Sequence, residues 1–315
     1  MDAQVDLSIV ISAYNEEPGI ERCYQEVTKT LVPMQLPYEI VFVNDGSTDN
    51  TLQILKQIAQ SDSRVRLIDL SRNFGHESAM MAGIDYSKGR AVICMDSDLQ
   101  HPPVKIPEMV GKWQEGFDIV NMVRVERKDA GFVKKSNSKL FYKIINGMSD
   151  AKLAENASDF FLISRQVVDV LKNDYRERTR FLRGIIQIIG FRKTTLEYVA
   201  DKRVDGRSKY SFFKLLRLSF TAISSFSKLP LQLGLIAGIV FGCISLILIV
   251  YSIVMWIYNT PVSGYTTLIV FMSAFASIQL FVIGMIGQYI GYIFDEVKHR
   301  PIYIVKETVE QKGDL

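Results

Sequence analysis

Cys94-Met95-Asp96-Ser97-Asp98-Leu99-Gln100-His101-Pro102-Pro103 is the stretch that decides how this chain is read. Ala91-Val92-Ile93-Cys94-Met95 is a short apolar run and reads as a buried strand. Two carboxylates follow it, and a Pro-Pro stops the strand. Asp96 and Asp98 are two residues apart, so extended backbone would send both side chains to one face. Carboxylates held together repel unless a cation sits between them or one takes up a proton. Mg²⁺ or Mn²⁺ is the simplest resident, because both prefer such oxygen ligands. The carboxyl end of a strand in an open α/β sheet is also where ligands bind. A surface turn with two solvated acids has the same short pattern, so the flanking chain must decide.

Outward from this strand the pattern repeats. Leu7-Ser8-Ile9-Val10-Ile11-Ser12 reads as a first strand. The loop Ala13-Tyr14-Asn15-Glu16-Glu17-Pro18 follows, and Pro18 suits the first turn of a helix running to about Leu31. Tyr38-Glu39-Ile40-Val41-Phe42-Val43 is a second strand, ending in Asn44-Asp45-Gly46-Ser47-Thr48-Asp49, where Ser47 or Thr48 can cap the next helix. Val65–Leu70 is a third strand, leading through Ser71-Arg72-Asn73-Phe74-Gly75 into a helix that ends near Gly89. This alternation predicts an α/β domain with a mostly parallel sheet and helices on both faces. There is no G-x-G-x-x-G after the first strand and no G-x-x-x-x-G-K-[S/T] in the chain. A nucleotide would therefore be held by polar contacts to base and ribose, with its diphosphate held through a metal.

The chain is 48% hydrophobic, and the excess is concentrated in one place. From Leu229 to Phe294 there is no Asp, Glu, Lys, Arg or His. That stretch is far longer than the roughly 20 helical residues one bilayer crossing needs. Asn259–Tyr265 is the natural break, which places spans near 231–258 and 266–293. Lys214, Arg217 and Lys228 precede the first span, and Lys298 and Arg300 follow the second. Under the positive-inside rule the soluble domain and both termini are cytoplasmic, in a multi-pass membrane protein. Gly234, Gly238 and Gly242 recur every four residues and permit close helix packing, hence a homo-oligomer such as a tetramer. A net charge of +3 makes no case for nucleic acid. Cys23, Cys94 and Cys243 show no disulfide or metal spacing, which suits a reducing compartment. No signal peptide is visible at the N-terminus. The expected organisation is a cytoplasmic α/β domain over 1–210, an amphipathic juxtamembrane helix over 211–228, a two-helix membrane domain over 229–294 and a cytoplasmic tail over 295–315.

Four stretches occur in order at suitable spacing: Ile9–Glu16, Val43–Asp49, Arg72–Gly75 and Asp96–Pro103. Together they resemble family 2 glycosyltransferases of the GT-A fold, which are Rossmann-like. More narrowly, they resemble the polyprenyl-phosphate glycosyltransferases, the group of dolichol-phosphate mannose synthase and bactoprenol glucosyltransferase. The resemblance implies an inverting, metal-dependent transfer of a sugar from a nucleotide sugar to polyprenyl (undecaprenyl) phosphate. A UDP-sugar is favoured, with a GDP-sugar as the other option. It implies nucleotide-sugar binding by Ala13, Tyr14, Asn15, Glu16, Asp45, Arg72 and Asp96, with Asp96 and Asp98 holding the metal. Ala157-Ser158-Asp159-Phe160-Phe161-Leu162 matches the family's Gly-Asp-Phe-Arg-Leu at Asp159, which with Asp98 is the expected catalytic pair. Ser158 and Phe161 depart from that pattern, so any role of the family's arginine is in doubt.

The resemblance also implies acceptor-phosphate binding. Arg124 and Arg127 lie in a basic loop after a strand, where such enzymes carry two arginines near the site. Arg203-Val204-Asp205-Gly206-Arg207-Ser208-Lys209-Tyr210 resembles the family's Arg-x-x-Gly-x-Ser-Lys-Tyr segment. Arg203, Arg207, Ser208 and Lys209 are the candidates there. Beside a membrane such a cluster also attracts anionic headgroups, at roughly 1 kcal/mol per charge. Arg180-Phe181-Leu182-Arg183-Gly184 reads mainly as packing, with Arg183 a candidate to line the site. The other reading of the chain is a non-catalytic nucleotide-sugar-binding subunit of a membrane glycan-assembly or flippase system. A processive polysaccharide synthase is disfavoured, since neither Trp113 nor Trp256 fits a Gln-x-x-Arg-Trp motif.

Overall fold

The computed structural model describes residues 5–125, 157–177, 181–199, 229–258 and 264–311. Its first compact unit is an α/β domain formed by the chain up to Ser211 together with the segment from Pro301 onward; its second covers Phe212–Arg300. In the first unit, four strands run β1 (Leu7–Ala13), β2 (Tyr38–Asn44), β3 (Val65–Leu70) and β4 (Ala91–Asp96). Between them lie α1 (Ile20–Leu31), α2 (Thr51–Ser61) and α3 (His76–Tyr86). β1 is buried throughout, which is why it reads as a continuous apolar run. α1 turns Ile20, Cys23, Val27 and Leu31 inward, the spacing of one helix face. Then come α4 (Ile106–Gln114), β5 (Ile119–Arg124), β6 (Ala157–Ser164), α5 (Arg165–Asn173), α6 (Leu182–Ile188) and β7 (Lys193–Tyr198).

The strands form one sheet in the order β7-β5-β6-β4-β1-β2-β3-β8, where β8 is Val305–Glu310. β4-β1-β2-β3 is parallel, as the strand–helix alternation predicts. The rest of the sheet is more mixed than that alternation implies. β6 is antiparallel to both β4 and β5, and β8 is antiparallel to β3. The insertion of β6 is what brings Asp159 to β4. The β4–β6 register runs from Ala91↔Ser164 to Cys94↔Phe161. Carried on by two residues, it sets Asp96 level with Asp159. On the other side of β4, Asp96 pairs with Ser12 of β1. Ser12, Asp96 and Asp159 therefore form a row across three adjacent strands.

The segment 295–315, read from sequence as a tail, is corrected by the structure. Its residues 305–310 complete the sheet edge as β8, and Ser71 N–H donates to the Ile304 carbonyl at 2.9 Å. Local pattern could not show this, because the pairing partner lies more than 200 residues away.

The second unit holds α7 (Leu229–Ile257) and α8 (Tyr265–Val297). Within them, Gly238–Met255 and Phe271–Val297 are long and apolar enough to cross a membrane. Gly234 faces Val282 and Met285, and a Cβ there would come within 3.2 Å of Val282 Cγ1. The juxtamembrane helix expected over 211–228 lies outside the described residues.

Candidate active site

Two turns at the carboxyl edge of the parallel strands are tied together. Asn15 has φ of 55°, and its Oδ1 accepts from Thr48 N–H at 2.8 Å. Asn15 N–H in turn donates to Ser47 Oγ at 3.0 Å, and Glu16 N–H to Thr51 Oγ1 at 2.9 Å. So Ser47 and Thr48 serve the neighbouring loop instead of capping α2. Asp49 takes the capping part, its Oδ1 accepting from Thr51 N–H at 3.0 Å. Tyr14 is half exposed beside this tie, and the Ala13 carbonyl accepts from Asp45 N–H at 2.9 Å.

Asp45 is buried, and its two carboxylate oxygens accept from Phe74 N–H at 2.7 Å and Gly75 N–H at 3.0 Å. Burial pushes its carboxyl up, against the pull of those hydrogen bonds. Asp45 thus clamps the β2–α2 turn to the β3–α3 turn. Gly46 makes the approach possible: its φ is +66°, and a Cβ would lie 2.4 Å from the Arg72 carbonyl carbon. Arg72 stacks over Phe74, its guanidinium carbon 4.1 Å from the ring centre, and donates to the Asn73 carbonyl at 3.0 Å.

Asp96 is the last residue of β4, but Asp98 does not continue the strand. Ser97 and Asp98 form a turn that closes through Leu99 at φ 57°. The same-face argument from extended backbone therefore fails for this pair. Asp98 is aimed instead by Gln100, whose N–H and side-chain amide each donate to one of its oxygens at 3.0 Å. Arg124, exposed at the end of β5, reaches the Gln100 side-chain oxygen at 3.3 Å. Buried His101 accepts from Asp96 N–H at 3.0 Å and stacks on Phe160 at 5.2 Å, which locks the turn. Burial pushes the Asp96 carboxyl up; His101 and His76 oppose that, and the charges of Asp159 and Asp98 add to it. Crowded negative charge of this kind fits an oxygen-seeking divalent cation. Among the described residues no three His, Cys, Asp or Glu side chains converge to hold a metal on their own. A cation on Asp96 and Asp98 would need further oxygen ligands, such as those of a diphosphate.

Asp159, a fifth exposed, lies between two groups that the motif reading left in the background. His76 Nε2 is 3.4 Å from Asp96 Oδ1 and 3.9 Å from Asp159 Oδ2. Its other nitrogen, Nδ1, is 2.9 Å from Ser12 Oγ. Arg183 Nε is 3.3 Å from Asp159 Oδ1, so Arg183 does line the site. Next to His76, Glu77 accepts from Leu182 N–H at 3.0 Å, and burial, with the Asp159 charge adding, pushes its carboxyl up. The signal for His76 and Glu77 was their place immediately after Arg72–Gly75, at the head of a helix. Phe161, at the position of the family's arginine, is buried. Arg127, Arg203, Arg207, Ser208 and Lys209 lie outside the described residues.

A family model described as glycosyl transferase family 2 matches residues 8–171, more than half of the chain and most of this site. The chain belongs to glycosyl transferase family 2. Its sheet domain, with carboxylates at the strand ends, has the GT-A arrangement. Similar chains match over almost their whole length. One is an uncharacterized glycosyltransferase, YkcC, of Bacillus subtilis (strain 168), 40% identical over 98% of this chain and 95% of that one. Another is a bactoprenol glucosyl transferase of Shigella phage SfV, 40% identical over 97% of this chain and 99% of its own. Among solved structures, the mannosyltransferase PcManGT from Pyrobaculum calidifontis, in complex with GDP-Man and Mn²⁺, is 18% identical. It covers 66% of this chain and 59% of that chain at a TM-score of 0.46.

Proposed function

We propose that this family 2 enzyme moves a sugar from a nucleotide sugar, a UDP-sugar before a GDP-sugar, to polyprenyl phosphate at the cytoplasmic face of the bacterial inner membrane. The observation that carries the reading is the row Ser12, Asp96, Asp159, with His76 touching all three. It joins the donor-side carboxylates to Asp159 in one site. The bactoprenol glucosyl transferases of similar length support a lipid acceptor, and two apolar helices support a membrane setting. α7 and α8 would anchor the domain with both termini on the cytoplasmic side, and their glycines would allow a homo-oligomer.

In this mechanism the tied loops carrying Ala13, Tyr14, Asn15 and Glu16 hold base and ribose, with Asp45 and Arg72 framing the same end. Asp96 and Asp98 would hold Mg²⁺ or Mn²⁺, which when bound supplies charge neutralisation for the leaving diphosphate. Arg124, Arg127, Arg203, Arg207, Ser208 and Lys209 bind the acceptor phosphate. A phosphate monoester has its second pKa near about 6, so the acceptor is largely ionised at cytoplasmic pH. Asp159 has then little proton to remove, and its chief work is to orient the reacting groups. Single displacement with inversion is what the resemblance to the polyprenyl-phosphate glycosyltransferases implies.

The test is a transfer assay with the purified full chain in detergent, undecaprenyl phosphate, Mg²⁺ or Mn²⁺, and a panel of UDP- and GDP-sugars. Labelled lipid from one donor, lowered by on the order of 10²-fold or more in Asp98→Asn, is the expected result. Nucleotide release without lipid label would sink the lipid acceptor. Donor binding without any turnover would favour the non-catalytic subunit.

A further inference from the structure

Asp159 is faced on each oxygen by a different group, and both groups trace back to the first two residues of α3. We infer that the α3 N-terminus is the positioning device for Asp159, with His76 acting directly and Glu77 acting through Arg183. The inference rests on the glycosyl-transfer reading for what Asp159 does, and on the structure alone for how it is held.

His76 spans the row across three strands. Its Nε2 faces one carboxylate oxygen of Asp96 and one of Asp159, at 3.4 and 3.9 Å. Ionised carboxylates only accept, so Nε2 carries a proton. Nδ1 lies 2.9 Å from the Ser12 hydroxyl oxygen, and that contact fixes the ring plane. Both Nε2 distances exceed a hydrogen bond, so the ring acts on the carboxylates through its field and its bulk. Asp159 can therefore reach a substrate without first breaking a short bond.

Glu77 works from behind. Its Oε2 accepts from Leu182 N–H at 3.0 Å, the first residue of α6. A helix start leaves such N–H groups without intrahelical partners, so the half-buried Glu77 side chain there sets where the helix begins. The next residue is Arg183, whose Nε lies 3.3 Å from the second oxygen of Asp159. Moving the start of α6 moves that guanidinium. His76 and Glu77 are thus positioning residues. The interplay predicts that their loss matters only while Asp159 is present.

The test uses the full chain in detergent with the donor and acceptor named above. His76→Ala should lower kcat by about tenfold or more while the donor KM stays within about twofold. In an Asp159→Asn background the same change should have less than about a twofold effect, because nothing remains to be positioned. Glu77→Ala should match His76→Ala, and Glu77→Gln, which keeps an oxygen for Leu182 N–H, should recover most of the rate. Multiplying effects of His76→Ala and Asp159→Asn overturn the inference. A rise in donor KM alone also overturns it, since His76 would then serve the donor through Asp96. If the wild type releases nucleotide but labels no lipid, the acceptor reading has failed, and the same cycle read on nucleotide release still decides the inference. Hydrogen exchange needs no turnover: Leu182 and its neighbours should exchange about tenfold faster in Glu77→Ala than in Glu77→Gln. Equal exchange in the two variants refutes the Glu77 half whatever the substrate.

Discussion

Tyr303→Phe removes one hydroxyl from the segment that leads into β8 at the sheet edge, and its effect should be felt at the β3–α3 turn. Tyr303 O–H donates to Asp85 Oδ2 at 2.6 Å. Arg176 Nη1 donates to both oxygens of the same carboxylate, at 2.9 and 2.8 Å. The Asp85 side chain is only 6% exposed, so water is a poor substitute for either donor. Burial and the adjacent carboxylate push the Tyr303 hydroxyl well above its ordinary value, so it remains a donor at any working pH. One residue on, the Ile304 carbonyl accepts from Ser71 N–H, and β8 pairs with β3 from Leu70↔Val305 to Arg66↔Glu310. Arg72 follows directly, so the strap and the turn are one mechanical unit. A hydrogen bond to a charged group contributes about 1.5–3 kcal/mol. Phenylalanine keeps the ring packing and Asp85 keeps Arg176, so the low end applies, about 1.5–2 kcal/mol. Since about 1.4 kcal/mol is tenfold in an equilibrium, amides of Ser71 and β8 should exchange about 10- to 30-fold faster. The assay is hydrogen exchange by mass spectrometry on the full chain, with peptides from β1 and β4 as internal controls. Unchanged exchange at Ser71 and β8, or an equal rise in β1 and β4, would refute the reasoning.

Gly46→Ala should be among the most damaging single-methyl changes in the domain. It adds a Cβ 2.4 Å from the Arg72 backbone at a positive φ, which should cost about 2 kcal/mol or more and shows as a lower melting temperature and a raised donor KM. The pH dependence of stability should carry a component from Glu77. Burial, then the Asp159 charge, raise its carboxyl from an ordinary 4.5, so the folded chain keeps a proton that the unfolded chain releases. That contribution is fully present below 4.5 and is lost as pH rises through the folded value; the melting temperature of Glu77→Gln should gain on wild type over that window. Cys23, pushed up to about 12 by burial, should resist a water-soluble alkylating reagent at pH 8 in the folded protein and react on unfolding. Labelling at the rate of a free thiol would contradict the packing of α1.

Much of the fold was legible from short-range pattern. The runs Leu7–Ser12, Tyr38–Val43, Val65–Leu70 and Ala91–Met95 became strands with boundaries displaced by at most one residue. Each is buried on both faces, and a fully buried strand is continuous apolar sequence. The two long apolar helices were equally plain, since each holds a stretch long and apolar enough to cross a membrane. Candidate site residues stood out where chemistry and punctuation coincide: an acid at a strand end, before Gly or Pro. His76 and Glu77 lacked that signal. Their importance comes from what lies across from them, on β6 and α6, a hundred residues downstream.

By itself, then, the sequence determined the parallel half of the sheet and two helices long and apolar enough to cross a membrane, and it singled out the candidate carboxylates. These depend on local hydrophobic period and on side-chain type. Tertiary structure alone decided that β6 runs antiparallel beside β4, so that Asp159 and Asp96 both face His76. It also decided that Asp98 leaves the strand on a left-handed turn at Leu99, and that β8 closes the edge of the sheet over β3. Strand pairing is a contact between distant segments, and any exposed edge offers the same row of backbone groups. Which strand takes that edge depends on the packing of the whole domain, which no window of residues records.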